Sequence, residues 1–220
     1  MLHFQFLVED ISGGTLITNI MEKLIMGRSD ISYDCKAFKG IGGLKKSNNI
    51  LRAKTNKLLN DLDIYLKGFD KSLKYIDAVL VIVLDNDSRN KEEFEAELQA
   101  KASSLHLDTD YTFCIAIEEM EAWLLGDMPA IQKAYPDAKT TIIKHYVQDS
   151  ICGTWETLAN AVYKGGINRF RKDCPTYKEI GKYKHKWAKE IGIHLDLTNN
   201  LSPSFHYFLT EITKRFPSII

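Results

Sequence analysis

The chain has little cysteine, little proline and no long apolar run, and these shortages exclude several classes of protein. Its four cysteines among 220 residues show no CxxC spacing, so neither a disulfide scaffold nor a cysteine zinc site is indicated. Six histidines are scattered without an HxH or HxxxH pair, which gives no support for histidine-bound zinc. No apolar stretch approaches the ~18 residues of a membrane span. Met1 leads directly into a candidate strand without a signal peptide, so we expect a cytoplasmic protein with no membrane partner.

The chain also has no formal net charge, because 29 basic residues balance 29 acidic ones. The charges are nevertheless segregated along the chain. Residues 36–60 carry seven basic and no acidic side chains, and residues 164–189 carry nine basic and two acidic ones. Between them, residues 85–121 carry eleven acidic and three basic side chains. An acidic centre between two basic segments suits metal-assisted chemistry on a phosphate, although each run alone is typical of a solvated helix face.

Strand and helix patterns alternate through the first half of the chain. Apolar or alternating runs predict strands at 3–8, 31–38, 78–84 and 111–117, with helical periodicity between them and Ser12 as cap of the first helix. This order predicts an α/β fold with a mostly parallel four-stranded sheet flanked by helices. After residue 118 the pattern is helical to the end. We therefore predict an α/β core over 1–127 and a helical C-terminal extension over 128–220.

Acidic side chains follow three of the predicted strands: Glu9 and Asp10 the first, Asp85 and Asp87 the third, and Glu118, Glu119 and Glu121 the fourth. The carboxyl ends of parallel strands meet at one edge of a sheet, where ligands bind. On an extended backbone the side chains of Asp85 and Asp87 would point the same way, with their Cα atoms about 6 to 7 Å apart. Clustered carboxylates suit Mg²⁺ or Mn²⁺, and a free one can act as general acid or base. The alternative is that each acid is a solvated turn or helix cap.

These residues carry a resemblance. A strand ending in Glu, a helix, a glycine loop and a strand ending in Asp-x-Asp resembles the Toprim domain of topoisomerases, bacterial primases and nucleases of the overcoming-lysogenization-defect class. The whole chain more closely resembles the Toprim-like domain-of-unknown-function family 4276. The motifs are LVEDISGGTLI at 7–17, VLDNDS at 83–88, IAIEEMEAWLLGD at 115–127, KHKWAKEIGIHLDL at 184–197 and SPSFHYFL at 202–209.

The resemblance implies roles for particular residues. Glu9 would be the general acid or base and a metal ligand, and Asp85 and Asp87 would hold magnesium. We add Glu118 and Glu121 as supporting catalytic acids. The chain departs from the family pattern at Asp10, where a glycine is expected. That aspartate would either add a ligand or crowd the turn.

Basic residues outside the acidic centre are candidates for substrate binding. Lys45 and Lys46 follow the glycine-rich GIGG at 40–43, a loop that can approach a phosphate closely or form a plain tight turn. Lys184 and Lys186 alternate with Tyr183 and Trp187. Such interleaving can bind a nucleic-acid strand, although an aromatic pair four residues apart is more typical of a buried helix stripe.

Three function hypotheses are consistent with these features. The first is a Mg²⁺- or Mn²⁺-dependent phosphoryl-transfer or phosphodiester-cleaving protein that acts on nucleic acid. The second is a non-catalytic accessory subunit of an ATPase-containing system, such as a defence system, with a degenerate acidic site. The resemblance implies that second alternative, because Toprim domains of the lysogenization-defect class are paired with ATPases. A purely structural metal-binding module would need only the carboxylates.

Overall fold

A computed structural model describes residues 1–40 and 57–218 of the chain. Four parallel strands form one sheet in the order β2-β1-β3-β4. They are β1 (Leu2–Val8), β2 (Ile31–Ala37), β3 (Ala78–Asp85) and β4 (Asp110–Ala116). The predicted α/β class and parallel sheet are therefore confirmed, and each strand boundary lies within one residue of its predicted position.

The described residues include ten α-helices. They are α1 (Ile11–Leu24), α2 (Leu62–Leu73), α3 (Lys91–Ser103), α4 (Glu121–Leu125), α5 (Met128–Ala134), α6 (Thr140–His145), α7 (Thr154–Val162), α8 (Gly166–Asp173), α9 (Tyr177–Gly192) and α10 (Pro203–Thr213). A 3-10 turn at Leu59–Asp61 precedes α2. Over the ranges 1–40 and 57–218, no helix is both long and apolar enough to cross a membrane.

The central strand β3 is buried on both faces, as its unbroken apolar sequence predicts. Val81 and Val83 face a core shared with α1 and the C-terminal helices, whereas Leu80 and Ile82 face a second core with α2 and α3. Burial of each such side chain contributes about 1.5–3 kcal/mol. Because alternate side chains of β3 pack into the two cores, the strand is held on both faces. It therefore supports the turn after Asp85 rigidly.

The C-terminal helices pack on the same face of the sheet as α1. Trp187 of α9 and Phe208 of α10 are buried in the core that contains Phe6 of β1. The long helix α9 lies along α1, where the Asn19 side chain donates a hydrogen bond to the Ala188 carbonyl at 3.1 Å. The helical C-terminal region is thus confirmed, and it brings residues 170 positions apart in the sequence into contact. The predicted boundary at residue 127 stays a prediction.

Helix ends follow the capping chemistry of the sequence in some places and differ in others. Ser202 caps α10 and accepts a hydrogen bond from the Phe205 amide at 3.2 Å. The prediction of Ser12 as the cap of α1 is wrong, because the helix begins earlier, at Ile11, and Asp10 caps it. The aspartate carboxylate accepts the Gly13 amide at 2.7 Å, and the Ser12 hydroxyl donates to the same carboxylate.

Candidate functional site

The strand ends of β1 and β3 bring Glu9 and Asp85 together at one edge of the sheet. Val8 lies opposite Val83 in the parallel register. The Asp85 amide then donates a hydrogen bond to Oε2 of Glu9 at 3.1 Å. The predicted convergence of the first and third strand ends is therefore confirmed, and it results from the parallel register of two strands that are adjacent in the sheet.

Asp85 is the last residue of β3 and is only 7% exposed. Its Oδ1 is buried and accepts no hydrogen bond from the described residues. Burial raises the pKa of Asp85 well above its ordinary value, and the neighbouring Glu9 carboxylate raises it further. A buried acceptor without a partner is costly in a folded protein, so this oxygen is a candidate ligand atom for a cation or a donor.

Glu9 is the second acid of this pair. Burial raises its pKa to about 7, the Asp85 amide opposes the rise, and the charges of Asp87 and Asp10 add to it. Near neutral pH such a carboxyl group populates both its protonated and its ionised form. A general acid or base requires this. Glu9 therefore has the electrostatic setting that the sequence-based role demands.

Asp87 does not continue the extended geometry of β3. The strand ends at Asp85, and Asp87 has a left-handed backbone with φ of 49°. Its carboxylate pairs with Arg89 at 2.8 Å and is about half exposed. The prediction that Asp85 and Asp87 project side by side from an extended strand is therefore wrong, because the turn begins between them. Asp87 still lies near Glu9, whose pKa its charge raises.

Asn86 organises this turn, although the sequence gives it no evident role. It is 1% exposed, and its amide donates to the Ala116 carbonyl at 3.1 Å. Its side chain donates to the Arg89 carbonyl at 2.8 Å and accepts the Glu118 amide at 2.5 Å. Asn86 thus ties the end of β3 to the end of β4. Its place between two aspartates after a buried strand is the one local signal for it.

Glu118 is hydrogen-bonded to the segment at the start of α7. Its carboxylate accepts the amides of Cys152, Gly153 and Thr154 at the start of α7, as well as the Thr154 hydroxyl. Partial burial raises the pKa of Glu118, but these hydrogen bonds outweigh burial and lower it. The Glu118 carboxylate therefore stabilises the start of α7, and its supporting role in catalysis stays a prediction.

Glu119 and Glu121 converge instead on a lysine from the far end of the chain. Nζ of Lys184, on α9, lies 3.3 Å from Oε1 of Glu119 and 3.1 Å from Oε2 of Glu121. Burial raises the pKa of Glu119 to about 7 and also raises that of Glu121. Burial lowers the pKa of Lys184, but the charges of Glu121 and Glu119 outweigh it and hold the pKa well above its usual value. We call Glu9, Asp85, Glu119 and Glu121 the acid cluster, with Lys184 as its internal cation.

Asp10 fits the site without crowding it. Its carboxylate is occupied by the cap of α1, and its charge raises the pKa values of Glu9 and Asp85. The following Gly13 leaves room for this arrangement, since a Cβ there would lie 2.8 Å from Cγ1 of Val8. The glycine pair after Asp10 thus permits close packing of α1 on the sheet.

A cleft of about 700 Å³ opens beside the acid cluster, with Glu119 and Lys184 in its wall. The rest of the wall includes Lys39, Trp155, Tyr177, Lys178, Lys182 and His185. The positions of Lys178, Lys182 and His185 are four and three residues apart, which places them on one face of α9. That spacing was the available sequence signal for this surface.

The lysines predicted to bind substrate have different locations. Lys45 and Lys46 lie outside the described residues. Lys184 is directed into the acid cluster, with its side chain 14% exposed. Lys186 lies 3.9 Å from Glu190 and 5.8 Å from the Tyr183 ring, and it is not part of the cleft wall. Substrate binding by these four lysines stays a prediction.

The acid cluster fits a hard cation in its chemistry. It offers carboxylate oxygens, which Mg²⁺ and Mn²⁺ prefer, and Oδ1 of Asp85 has no other partner in the described residues. No group of three His, Cys, Asp or Glu side chains within 1–40 and 57–218 is arranged to hold one metal ion. Magnesium usually takes one or two carboxylates and completes its shell with water and substrate phosphate, so a site of two carboxylates remains suitable.

The fold and the site together define a parallel α/β protein with a buried acid cluster at the carboxyl edge of its sheet and a basic cleft beside it. The family described as domain of unknown function DUF4276 matches residues 9–213. The chain belongs to that family. No curated protein and no solved structure matches the chain.

Proposed function

We propose that the protein is a magnesium-dependent, Toprim-like enzyme that cleaves phosphodiester bonds in nucleic acid. One observation carries the proposal. At the carboxyl edge of the sheet, the backbone amide of Asp85 donates a 3.1 Å hydrogen bond to the Glu9 carboxylate, so that carboxyl groups from two adjacent strand ends lie together. The basic cleft beside the acid cluster supplies a route for a polyanion. We also infer a reducing, cytoplasmic setting, which the four free cysteines support.

Glu9 and Asp85 would hold the cation, and Asp87, whose carboxylate pairs with Arg89, would add negative charge beside them. When bound, Mg²⁺ or Mn²⁺ would stabilise negative charge on a phosphate and favour ionisation of a water molecule. Glu9 would act as the general acid or base, because a pKa of about 7 lets its carboxyl group accept or donate a proton near neutral pH. Asp85 orients Glu9 through its backbone amide, so the two residues act as a unit.

Lys184 and the other basic residues have separate tasks in this proposal. The Lys184 ammonium offsets the charge of Glu119 and Glu121, so that an anionic substrate can approach the acid cluster. Lys39, Lys178 and Lys182 line the outer wall of the cleft, where they can attract phosphate groups. Without such cations, the acidic edge of the sheet would repel a polyanion.

The test is a cleavage assay with purified full-length chain, labelled DNA and RNA, and either Mg²⁺, Mn²⁺ or EDTA. We expect metal-dependent cleavage that Glu9→Gln and Asp85→Asn each reduce by at least about a hundredfold, the typical contribution of acid–base catalysis. Glu97→Gln, an exposed carboxylate on α3, is the matched control and should retain activity. Metal-independent cleavage, or full activity in both site variants, would contradict the proposal.

A second candidate is the non-catalytic accessory subunit of an ATPase-containing system. The observation in its favour is Lys184, which already neutralises two carboxylates in the way that a structural ion-pair network does. In that case the ion pairs of Lys184 with Glu119 and Glu121 would have only a structural role in a binding protein. Wild-type chain that cuts neither DNA nor RNA with either metal, alone or with its ATPase added, would favour this candidate.

A further inference from the structure

One exposed aromatic side chain in the cleft has no role in the fold. Tyr177 is the first residue of α9 and is 93% exposed. The backbone beneath it is well anchored, because Thr176 and Glu179 form a reciprocal capping box at the start of the helix. A ring held outward from a rigid helix end presents a flat apolar face at little entropic cost.

Exposure alone would not distinguish this tyrosine, because Tyr75 is 90% exposed as well. Tyr75 precedes β3 and therefore lies at the amino edge of the sheet, opposite the acid cluster. Tyr177 instead shares the wall of the cleft with Trp155, which is partly buried against Phe170 at a ring distance of 5.8 Å. The two aromatic side chains therefore lie beside the acid cluster, where a substrate would bind.

Three lysines other than Lys184 line the same cleft as these aromatic side chains. Lys178 and Lys182 lie one helical turn apart on α9, and Lys39 follows β2. Within the described part of the chain, none of the three has a carboxylate at ion-pair distance. Proteins hold single strands by combining exposed aromatic faces with lysines in one groove, since bases stack while the backbone follows the positive charges.

The size of the cleft suits a small part of a nucleic acid strand. Its volume of about 700 Å³ lies in the range of roughly 300–1,000 Å³ typical of sites for small molecules. One or two unpaired nucleotides are of this size. The bases of a duplex are stacked on one another, so that they offer no free face to a tyrosine.

We propose that the cleft binds single-stranded nucleic acid, with an unpaired base stacked on Tyr177 and its phosphates near Lys178 and Lys182. This inference rests on the proposed function in placing a nucleic acid at the acid cluster, and it adds the substrate class. DNA and RNA share the recognised chemistry, and their relative affinities in a binding experiment distinguish them.

Binding is measured by fluorescence anisotropy on the full-length chain in EDTA, so that no strand is cut. The probes are a labelled single-stranded DNA, an RNA of the same sequence, and the corresponding DNA duplex. We expect tighter binding of a single strand than of the duplex. Tyr177→Ala should weaken single-strand binding on the order of tenfold, whereas Tyr177→Phe keeps the stacking face and should bind as wild type does.

Matched variants separate stacking from charge. Lys178→Ala with Lys182→Ala should lower the salt slope of single-strand binding by about 0.7 for each phosphate that the variant no longer neutralises. Tyr75→Ala and Lys74→Ala alter an exposed tyrosine and lysine at the opposite edge of the sheet and should change nothing. Equal affinity for duplex and single strand, or wild-type binding by Tyr177→Ala, would overturn the inference.

The two proposals fail in different ways. Tyr177-dependent binding of a single strand without metal-dependent cleavage would disprove the nuclease activity and leave the binding site intact. Cleavage that needs Glu9 but is indifferent to Tyr177 and to strandedness would support the enzyme and disprove the substrate class. Absence of both binding and cleavage would overturn both.

Discussion

At the scale of single residues, the acid cluster stores unfavourable electrostatic energy that burial creates. Asp85 and Glu9 are adjacent, largely buried and both have raised pKa values. If this edge of the sheet had only a structural role, amide or apolar side chains would be expected at these two positions, because a buried pair of like charges lowers stability. The presence of two carboxylates there is the pattern of a functional site that is less stable than it could be.

The first prediction concerns the pH dependence of stability. A carboxyl group whose pKa is raised from 4.5 unfolded to about 7 folded contributes stability that is present below pH 4.5 and is lost as pH rises through 7. The free energy of unfolding of the wild type in EDTA should therefore fall between pH 5 and 7.5, by up to about 3 kcal/mol from Glu9. Glu9→Gln should flatten the profile in urea titrations, and Glu97→Gln should not. A wild-type profile that rises over this range would contradict the raised pKa.

At the scale of elements, the backbone turns after β3 and β4 determine which acidic side chains lie in the acid cluster. Asp87 and Glu118 both have positive φ, at 49° and 59°, an uncommon conformation for residues with a side chain. Asn86 joins the two turns by its hydrogen bonds. As a result Glu118 points to α7, while Glu119 and Glu121 point to Lys184.

The second prediction tests the structural role of Glu118. Glu118→Ala removes a charged acceptor from the start of α7 and should lower the free energy of unfolding by about 1.5–3 kcal/mol, the usual loss for such hydrogen bonds. Because its folded pKa is lowered, the contribution should be present above pH 4.5 and disappear as pH falls further. Denaturant titrations at pH 7 and pH 3.5 measure both effects, with Glu97→Ala as control. Loss of cleavage without loss of stability would instead support the catalytic role of Glu118.

At the scale of the whole molecule, the C-terminal helices complete a site that the sheet alone leaves open. The sheet supplies the carboxylates, whereas α9 supplies Lys184 and one wall of the cleft. Hydrogen bonds and close packing between α1 and α9 set this position, including the 3.1 Å bond from Asn19 to Ala188. A cation bound at the acid cluster would therefore strengthen the junction between both parts of the chain.

The third prediction concerns the response of the whole fold to metal. A cation that binds only the folded state raises stability by mass action, by roughly 2.7 kcal/mol at a hundredfold excess over its dissociation constant. Mg²⁺ or Mn²⁺ should therefore raise the Tm, measured by calorimetry, and Asp85→Asn with Asp87→Asn should abolish the shift. Glu92→Gln with Glu93→Gln, two exposed acids on α3, should keep it. An equal shift in the site double variant would place the metal elsewhere.

The sequence by itself determined the sheet. Apolar runs of strand length, separated by helical patterns, leave a parallel α/β arrangement as the simplest way to bury both faces of β3. The same logic predicted that Glu9 and Asp85 share an edge, because residues that follow adjacent parallel strands must lie together. Local sequence patterns were sufficient to predict the structure wherever the backbone continued a regular strand or helix.

The tertiary structure decided what happens where regular elements end. The left-handed turn at Asp87 and the cap at Asp10 depend on hydrogen-bond partners that local periodicity does not reveal. The partnership of Lys184 with Glu119 and Glu121 spans more than sixty residues. It was set by the packing of α9 on α1, and a pairing between distant segments leaves no periodic trace in either one. The acid cluster is thus predictable as a place in the sheet, while its internal cation and its cleft arise only from how the helices pack.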